Sequence, residues 1–190
     1  MFPRLPNRRF WLQHASGLTT TKTANGCVPH LNMSRNLVGV LGTVIIAIYV
    51  VGSSRWVATD ADWYRSLARP SWQPPSSVFG IIWPYNFAML ITATWLVASR
   101  LSNTNQLVWL ISLALSVVSA LTWAWLFYGP HLLLASGFAL VLATVFTIPL
   151  LVIAFRVSPV LGFAFLPYQL WLAVATSLAF GYASLVTPGP

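Results

Sequence analysis

The residues best suited to chemistry lie in one run rich in tryptophan, arginine and proline, Trp63-Tyr64-Arg65-Ser66-Leu67-Ala68-Arg69-Pro70-Ser71-Trp72-Gln73-Pro74-Pro75. Tryptophan faces stack on flat conjugated molecules, and guanidinium groups form charge-assisted hydrogen bonds with carboxylates. The prolines restrict the backbone of the run. The run therefore predicts a rigid aromatic loop that closes over a flat ligand.

Few side chains could support acid–base, thiol or metal chemistry. Cys27 is the single cysteine, which excludes an internal disulfide and disfavours a thiolate metal site. Two of the three histidines precede residue 35, and His131 is predicted to be a solvated turn residue rather than a haem ligand. The acidic residues, Asp60 and Asp62, have arginines nearby and predict local ion pairs. We expect no metal site and no obligatory cofactor, and hydrolysis, phosphate transfer and ion pumping are disfavoured.

The elements that position this run are apolar. The chain is 57% hydrophobic, and its mean hydropathy is +0.75. Only 6% of its residues are charged, which is too few for a soluble globular protein of this size. Five apolar stretches predict helices at about 36–54, 77–99, 106–128, 132–156 and 159–186, and apart from Arg156 at the end of the fourth they contain no Lys, Arg, Asp or Glu. Residues 35–190 are thus predicted to form an all-α integral membrane protein, a five-transmembrane-helix bundle, with a ligand-covering loop over 55–76. Short links predict antiparallel neighbours.

Residues 1–34 have a different composition, with four basic residues and no acidic one. This basic N-terminal extension fits a disordered tail, an organelle transit peptide, or a start codon misplaced ahead of Met33. The net charge of +8 does not predict a nucleic-acid partner, because the other basic residues flank apolar spans. The lipid bilayer is the partner that this distribution predicts.

Aromatic residues are abundant, with ten Trp, six Tyr and eleven Phe. Those near span ends predict an interfacial belt that includes Trp56, Trp95 and Trp109. One face of the third span carries Trp109, Ser112, Ser116, Ala120, Trp123 and Phe127, which favours close helix packing or a cavity with Trp123 as a wall. On the fifth span Trp171, Ala175, Leu178 and Tyr182 share a face that is predicted to point inward.

Three motifs in order resemble the TspO/MBR family, which includes the tryptophan-rich sensory proteins and the mitochondrial translocator protein, the peripheral-type benzodiazepine receptor. They are W-Y-x-x-L-x-R-P-x-W-x-P-P from Trp63, followed by Phe79 and Trp83, then W-x-x-x-F-Y from Trp123, and P-Y-x-x-W-x-x-x-A-T from Pro167. The similarity covers about residues 37 to 186. It implies a five-helix bundle, often a homodimer, with a pocket beneath the loop between the first two spans.

The resemblance also implies site residues. The predicted ligand-binding residues are Tyr64, Arg69, Trp72, Pro74, Trp123, Trp171, Ala175 and Thr176. The sequence departs from the family pattern at Ala120 and Ala179, where asparagines are expected. An alternative alignment places Trp125 at the motif tryptophan and Thr122 at the asparagine, so the choice between Trp123 and Trp125 stays open.

The function implied is binding of a tetrapyrrole, protoporphyrin IX or haem, or of another planar lipophilic molecule, by a sensory or translocator protein. Two alternatives remain: light-dependent porphyrin degradation, in which Trp72 and Trp171 would be catalytic, and transport of a sterol or other lipophile. The predicted location is a bacterial membrane, or the mitochondrial outer or another organelle membrane in a eukaryote.

Overall fold

The computed structural model describes residues 35–186, which form six helices and no strand. The helices are α1 (Arg35–Val57), α2 (Ala61–Ser66), α3 (Ser76–Arg100), α4 (Asn103–Tyr128), α5 (Leu133–Val157) and α6 (Pro159–Val186). In this part of the chain five helices, all except α2, are long and apolar enough to cross a membrane. This confirms the predicted all-α, five-transmembrane-helix bundle, and the chain is a multi-pass integral membrane protein. The predictions for residues 1–34 lie outside the described residues.

The connection between α1 and α3 contains more helix than the loop predicted over 55–76. The first span continues as a helix to Val57, and α2 lies within the connection. The carboxylate of Asp60 begins α2, because Oδ1 accepts a hydrogen bond of 3.1 Å from the backbone N–H of Trp63. At Leu67 the backbone becomes extended, and α2 ends. Residues 58–75 are called the α1–α3 segment below.

The five long helices form a closed ring in the order α1, α3, α6, α5, α4. The most extensive contacts are those of α5 with α4 and with α6, and α1 lies between α3 and α4. Two glycines allow α1 to occupy this place. A Cβ at Gly42 would collide with Thr94 of α3, and a Cβ at Gly52 would lie 2.7 Å from Leu121 of α4. Small residues permit such close approach between membrane helices.

Trp109 lies in the core and not in an interfacial belt, so that prediction is wrong. Its side chain is 0% exposed, and its indole Nε1 donates a 3.0 Å hydrogen bond to Oγ1 of Thr94. The physical reason is the helix face that it occupies, which also carries Ser112 and Ser116. On that face α5 comes close enough for the hydroxyl of Ser116 to donate to the carbonyl of Ala143 at 3.3 Å.

We predict that Trp109→Ala destabilises the bundle by about 3–5 kcal/mol, since it removes a buried aromatic ring and leaves Thr94 without this donor. Trp125→Ala is the matched control, because Trp125 lies on the same helix and is 47% exposed. We expect the control to change stability by about 0.5 kcal/mol or less. Unfolding by SDS in mixed micelles measures both free energies, and equal losses would contradict the core assignment.

Candidate functional site

A cavity of about 670 Å³ lies at the end of the bundle where α1 ends and α3 begins. Its walls come from α1, α3, α4 and α6, and the α1–α3 segment covers it. Its volume is in the range of sites that hold small organic ligands.

Aromatic side chains dominate the lining of the cavity. They are Tyr64, Phe79, Trp83, Phe87, Trp123, Phe127, Tyr128, Trp171 and Tyr182. The rings of Phe79 and Trp83 meet Trp171 nearly edge-on, with centroids 4.9 Å and 6.4 Å away and interplanar angles of 81° and 86°. Edge-to-face contacts of this kind stabilise aromatic pairs and restrict their rotation. The wall is therefore a set of rings that hold one another in place.

Three polar side chains connect the α1–α3 segment to α6 at the cavity. The amide Nε2 of Gln73 donates to the hydroxyl of Tyr64 at 3.3 Å. The hydroxyl of Tyr182 on α6 donates to Oε1 of Gln73, and its oxygen lies 3.3 Å from the hydroxyl of Tyr64. All three residues also line the cavity. The cluster Tyr64–Gln73–Tyr182 thus joins the cover to the wall, and we call it the polar cluster.

The second contact between the segment and α6 depends on a glycine. A Cβ at Gly181 would lie 2.7 Å from the indole of Trp72 and 2.9 Å from the ring of Pro70. Both side chains are rigid, so a methyl group at residue 181 would push the segment outward. Trp72 packs on this glycine while 55% of its surface stays exposed.

Arg69 is the one charged residue in the lining of the cavity as residues 35–186 define it. The two carboxylates are engaged elsewhere: Asp62 pairs with Arg65 at 2.9 Å, as predicted for local ion pairs, and Asp60 faces His131. Within the described residues neither carboxylate is within salt-bridge distance of Arg69. The cavity therefore combines an apolar aromatic wall with one positive charge.

The structure brings together most of the site residues predicted from the sequence. The cavity is lined by Tyr64, Arg69, Pro74, Trp123, Trp171 and Ala175. Trp72 and Thr176 are not in the lining. The indole of Trp72 lies against Gly181, and Thr176 is turned towards α5, where its hydroxyl lies 3.3 Å from that of Thr144.

Two alignments assigned the motif tryptophan to Trp123 or to Trp125, and these residues lie on different faces of α4. Trp123 lines the cavity, whereas Trp125 is 47% exposed. The alanines at the positions where asparagines were expected are both buried in the core, and Ala179 also lines the cavity. The geometry therefore favours the alignment with Trp123 at the motif position.

The lining also contains residues outside the predicted ligand-binding set, and sequence reasoning did not single out Phe87, Ser53 or Ser54 at all. A signal for Phe87 was available, since it follows Trp83 by four residues and shares its helix face. The serines end a run of apolar residues in α1, but their hydroxyls donate to the backbone carbonyls of Tyr49 and Val50, a local pattern that does not indicate a cavity.

Residues 40–185 match the sequence profile of the TspO/MBR family. The chain is 28% identical over 152 residues to the uncharacterized membrane protein YtaB of Bacillus subtilis, covering 80% of this chain and 98% of that protein. It is 27% identical to the tryptophan-rich protein TspO of Bacillus cereus, covering 66% of this chain and 82% of that protein. Identity to the human translocator protein is 32%, over 61% of this chain and 70% of that protein.

We predict that Gly181→Ala loosens the α1–α3 segment, because the added methyl group displaces Trp72 and Pro70. Hydrogen exchange of the backbone amide of Gln73, which donates to the carbonyl of Pro70 at 3.0 Å, should become about tenfold faster. Gly80→Ala is the control, since nothing lies within 4 Å of a Cβ at Gly80, and alanine favours the helix. Unchanged exchange in Gly181→Ala would contradict the packing role of this glycine.

Proposed function

The chain belongs to the TspO/MBR family of membrane sensory and translocator proteins, and from this membership and the cavity we propose that it binds a tetrapyrrole, protoporphyrin IX or haem, beneath the α1–α3 segment. The observation that carries the proposal is the lining itself, in which nine aromatic residues surround a space of about 670 Å³ and Arg69 supplies the charge. From the resemblance we also propose that the protein is a homodimer. We propose that it resides in a bacterial membrane or, in a eukaryote, in the mitochondrial outer or another organelle membrane.

The aromatic wall of the cavity favours binding of a flat ligand. Three helices contribute its rings: α3 carries Phe79, Trp83 and Phe87, α4 carries Trp123, and α6 carries Trp171. A conjugated macrocycle can stack on such faces or meet their edges, and it buries large apolar area in doing so. Because the rings are held by one another, little side-chain ordering is needed when the ligand enters.

The polar groups of the cavity favour binding of a ligand that carries hydrogen-bond acceptors and negative charge. Arg69 can form charge-assisted hydrogen bonds with a propionate. The indole N–H groups of Trp123 and Trp171 are buried and have no acceptor among residues 35–186. An unpaired buried donor costs about 1–3 kcal/mol, so a ligand acceptor that reaches these groups would offset the cost. No carboxylate in the described lining would repel the ligand.

We expect Trp171→Leu to weaken binding of protoporphyrin IX about tenfold, because the macrocycle loses an aromatic contact in the wall, equivalent to about 1.4 kcal/mol. Quenching of tryptophan fluorescence during titration measures the affinity. Trp125→Leu is the control, since it removes an exposed tryptophan from outside the cavity. The same affinity in wild type, Trp171→Leu and Trp123→Leu would refute a ligand in this cavity.

We expect Arg69→Gln to weaken binding of protoporphyrin IX about threefold to tenfold, because the side chain is exposed and its charge is partly screened. The dimethyl ester of protoporphyrin IX has no ionised carboxylate, so its affinity should be unchanged by this substitution. Arg65→Gln is the matched control on the same segment, since Arg65 is paired with Asp62 outside the lining. Equal losses for acid and ester would remove the proposed carboxylate contact.

Two further measurements on the purified protein distinguish binding alone from porphyrin degradation and from transport. Under illumination, spectral loss of bound protoporphyrin IX that requires Trp171 would indicate degradation. Net uptake of porphyrin or sterol by proteoliposomes, compared with empty liposomes, would indicate transport. Binding of protoporphyrin IX without degradation and without uptake is the result expected of a sensory protein.

A further inference from the structure

Asn86 of α3 is a fully buried polar residue whose amide has no hydrogen-bond partner. Neither its Oδ1 nor its Nδ2 forms a hydrogen bond with any residue of 35–186. Leu90, the next side chain on the same helix face, is also fully buried, so Asn86 is directed into the bundle and away from lipid. A buried amide without partners is costly, and nearly all such groups in proteins are paired. The burial of Asn86 therefore indicates a further group with which its amide forms hydrogen bonds.

The depth of Asn86 in the bundle follows from the contact between α3 and α4. The indole of Trp109 on α4 donates to the hydroxyl of Thr94 on α3. These helices follow one another through a short link and run antiparallel. From that hydrogen bond Asn86 lies about 12 Å along α3, and Ser116 lies about 10.5 Å along α4 in the same direction, at a rise of 1.5 Å per residue. Asn86 and Ser116 are therefore at nearly the same depth.

Tyr49 of α1 is a second buried group without a partner at this depth. Its ring meets that of Phe87, the chain neighbour of Asn86, with centroids 5.3 Å apart and planes 88° apart. Its side chain is fully buried, and its hydroxyl forms no hydrogen bond with the described residues. A hydroxyl both donates and accepts, and so does an amide. The two unpaired groups thus have the same requirement, a partner that can do both.

A tyrosine of α6 completes this group of polar residues. The hydroxyl of Tyr168 lies near those of Tyr49 and Ser116. The depth agrees with the contact between α3 and α6, since Tyr85 donates to the carbonyl of Ala164, one turn before Tyr168. Four helices therefore each place one buried polar side chain at one level of the bundle.

This polar level lies behind the aromatic wall of the cavity. Tyr49 contacts the rings of Trp83 and Phe87, which line the cavity, but Tyr49 and Asn86 are not in the lining themselves. The buried polar residues of 35–186 include no charged side chain. A cation would find no carboxylate here, and an anion would find no positive charge. The group that pairs with Asn86 and Tyr49 is therefore small and neutral.

We propose that Asn86 and Tyr49, with Tyr168 beside them, form a binding site for buried water inside the membrane domain, separate from the tetrapyrrole cavity. Water donates and accepts, and buried waters typically make about three hydrogen bonds to groups that are otherwise unpaired. The bound water joins α1 to α3 and holds Tyr49 against the wall ring of Phe87. The site goes beyond the proposed function, and its test requires no ligand.

Solid-state NMR of the full chain in bilayers of deuterated lipid tests for this water directly. With 15N in the asparagine side chains, magnetisation selected on water should reach Nδ2 of Asn86, although that amide is fully buried at membrane depth. Asn105 is the reference, because it lies at the bundle end and its oxygen accepts from Arg156. Asn86→Leu identifies the signal by its loss. Transfer from water to Asn105 but not to Asn86 would overturn the proposal.

The sign of the stability change in Tyr49→Phe gives a second test. If water pairs with the hydroxyl, its removal loses a hydrogen bond, and the unfolding constant in mixed SDS micelles should rise about threefold to tenfold. If the hydroxyl is unpaired, its removal relieves the cost of burial, so a fall in the constant would overturn the proposal. Tyr85→Phe is the matched control, since it removes the 2.7 Å hydrogen bond to Ala164 and should also destabilise.

Asn86→Leu removes the other side of the site. In this background the water loses a partner, so Tyr49→Phe should no longer destabilise and should lower the unfolding constant about threefold. The same reversal with no transfer from water to Asn86 in the wild type would indicate a direct bond between the two side chains and overturn the water site. If Asn86→Leu does not fold, the NMR result and the sign for Tyr49→Phe still decide the question.

Discussion

The structure depends on one constraint, that backbone polar groups in hydrocarbon must be satisfied by the protein itself. The five long helices meet it with hydrogen bonds inside each element. Non-helical chain and charged side chains are therefore confined to the ends of the bundle. The α1–α3 segment concentrates both at one end, where it meets aromatic side chains from α3, α4 and α6. At this end the positive charge of Arg69 lies beside the apolar wall.

The cavity follows from how the ring of helices is closed. Extensive packing of α4, α5 and α6 forms a firm side of the bundle, and the glycines of α1 let that helix fit between α3 and α4. Between α3 and α6 the side chains are large aromatic rings that meet edge to face. The cavity lies among these rings, beneath the α1–α3 segment.

Much of this architecture could be predicted from the sequence, because span length and helical period are local properties. Spacing places Trp171, Ala175, Leu178 and Tyr182 on one face, Pro167 indicates that this face points inward, and all four residues line the cavity. The direction of Trp72 could not be predicted, since it depends on a glycine more than a hundred residues later. Trp109 was misassigned because position near a span end says less than the face that a residue occupies. The helix α2 was hidden by its shortness, although Asp60 supplies the signal of a capping residue.

The polar cluster has a consequence for the rates at which a ligand comes and goes. Tyr64, Gln73 and Tyr182 line the cavity and also hold the segment to α6. If the proposed ligand enters from this end of the bundle, those hydrogen bonds must open for entry and open again for exit. Such an arrangement slows association and dissociation together, which lengthens residence without any gain in affinity. For the sensory function proposed above, a ligand of moderate affinity would then stay bound for longer than its affinity alone implies.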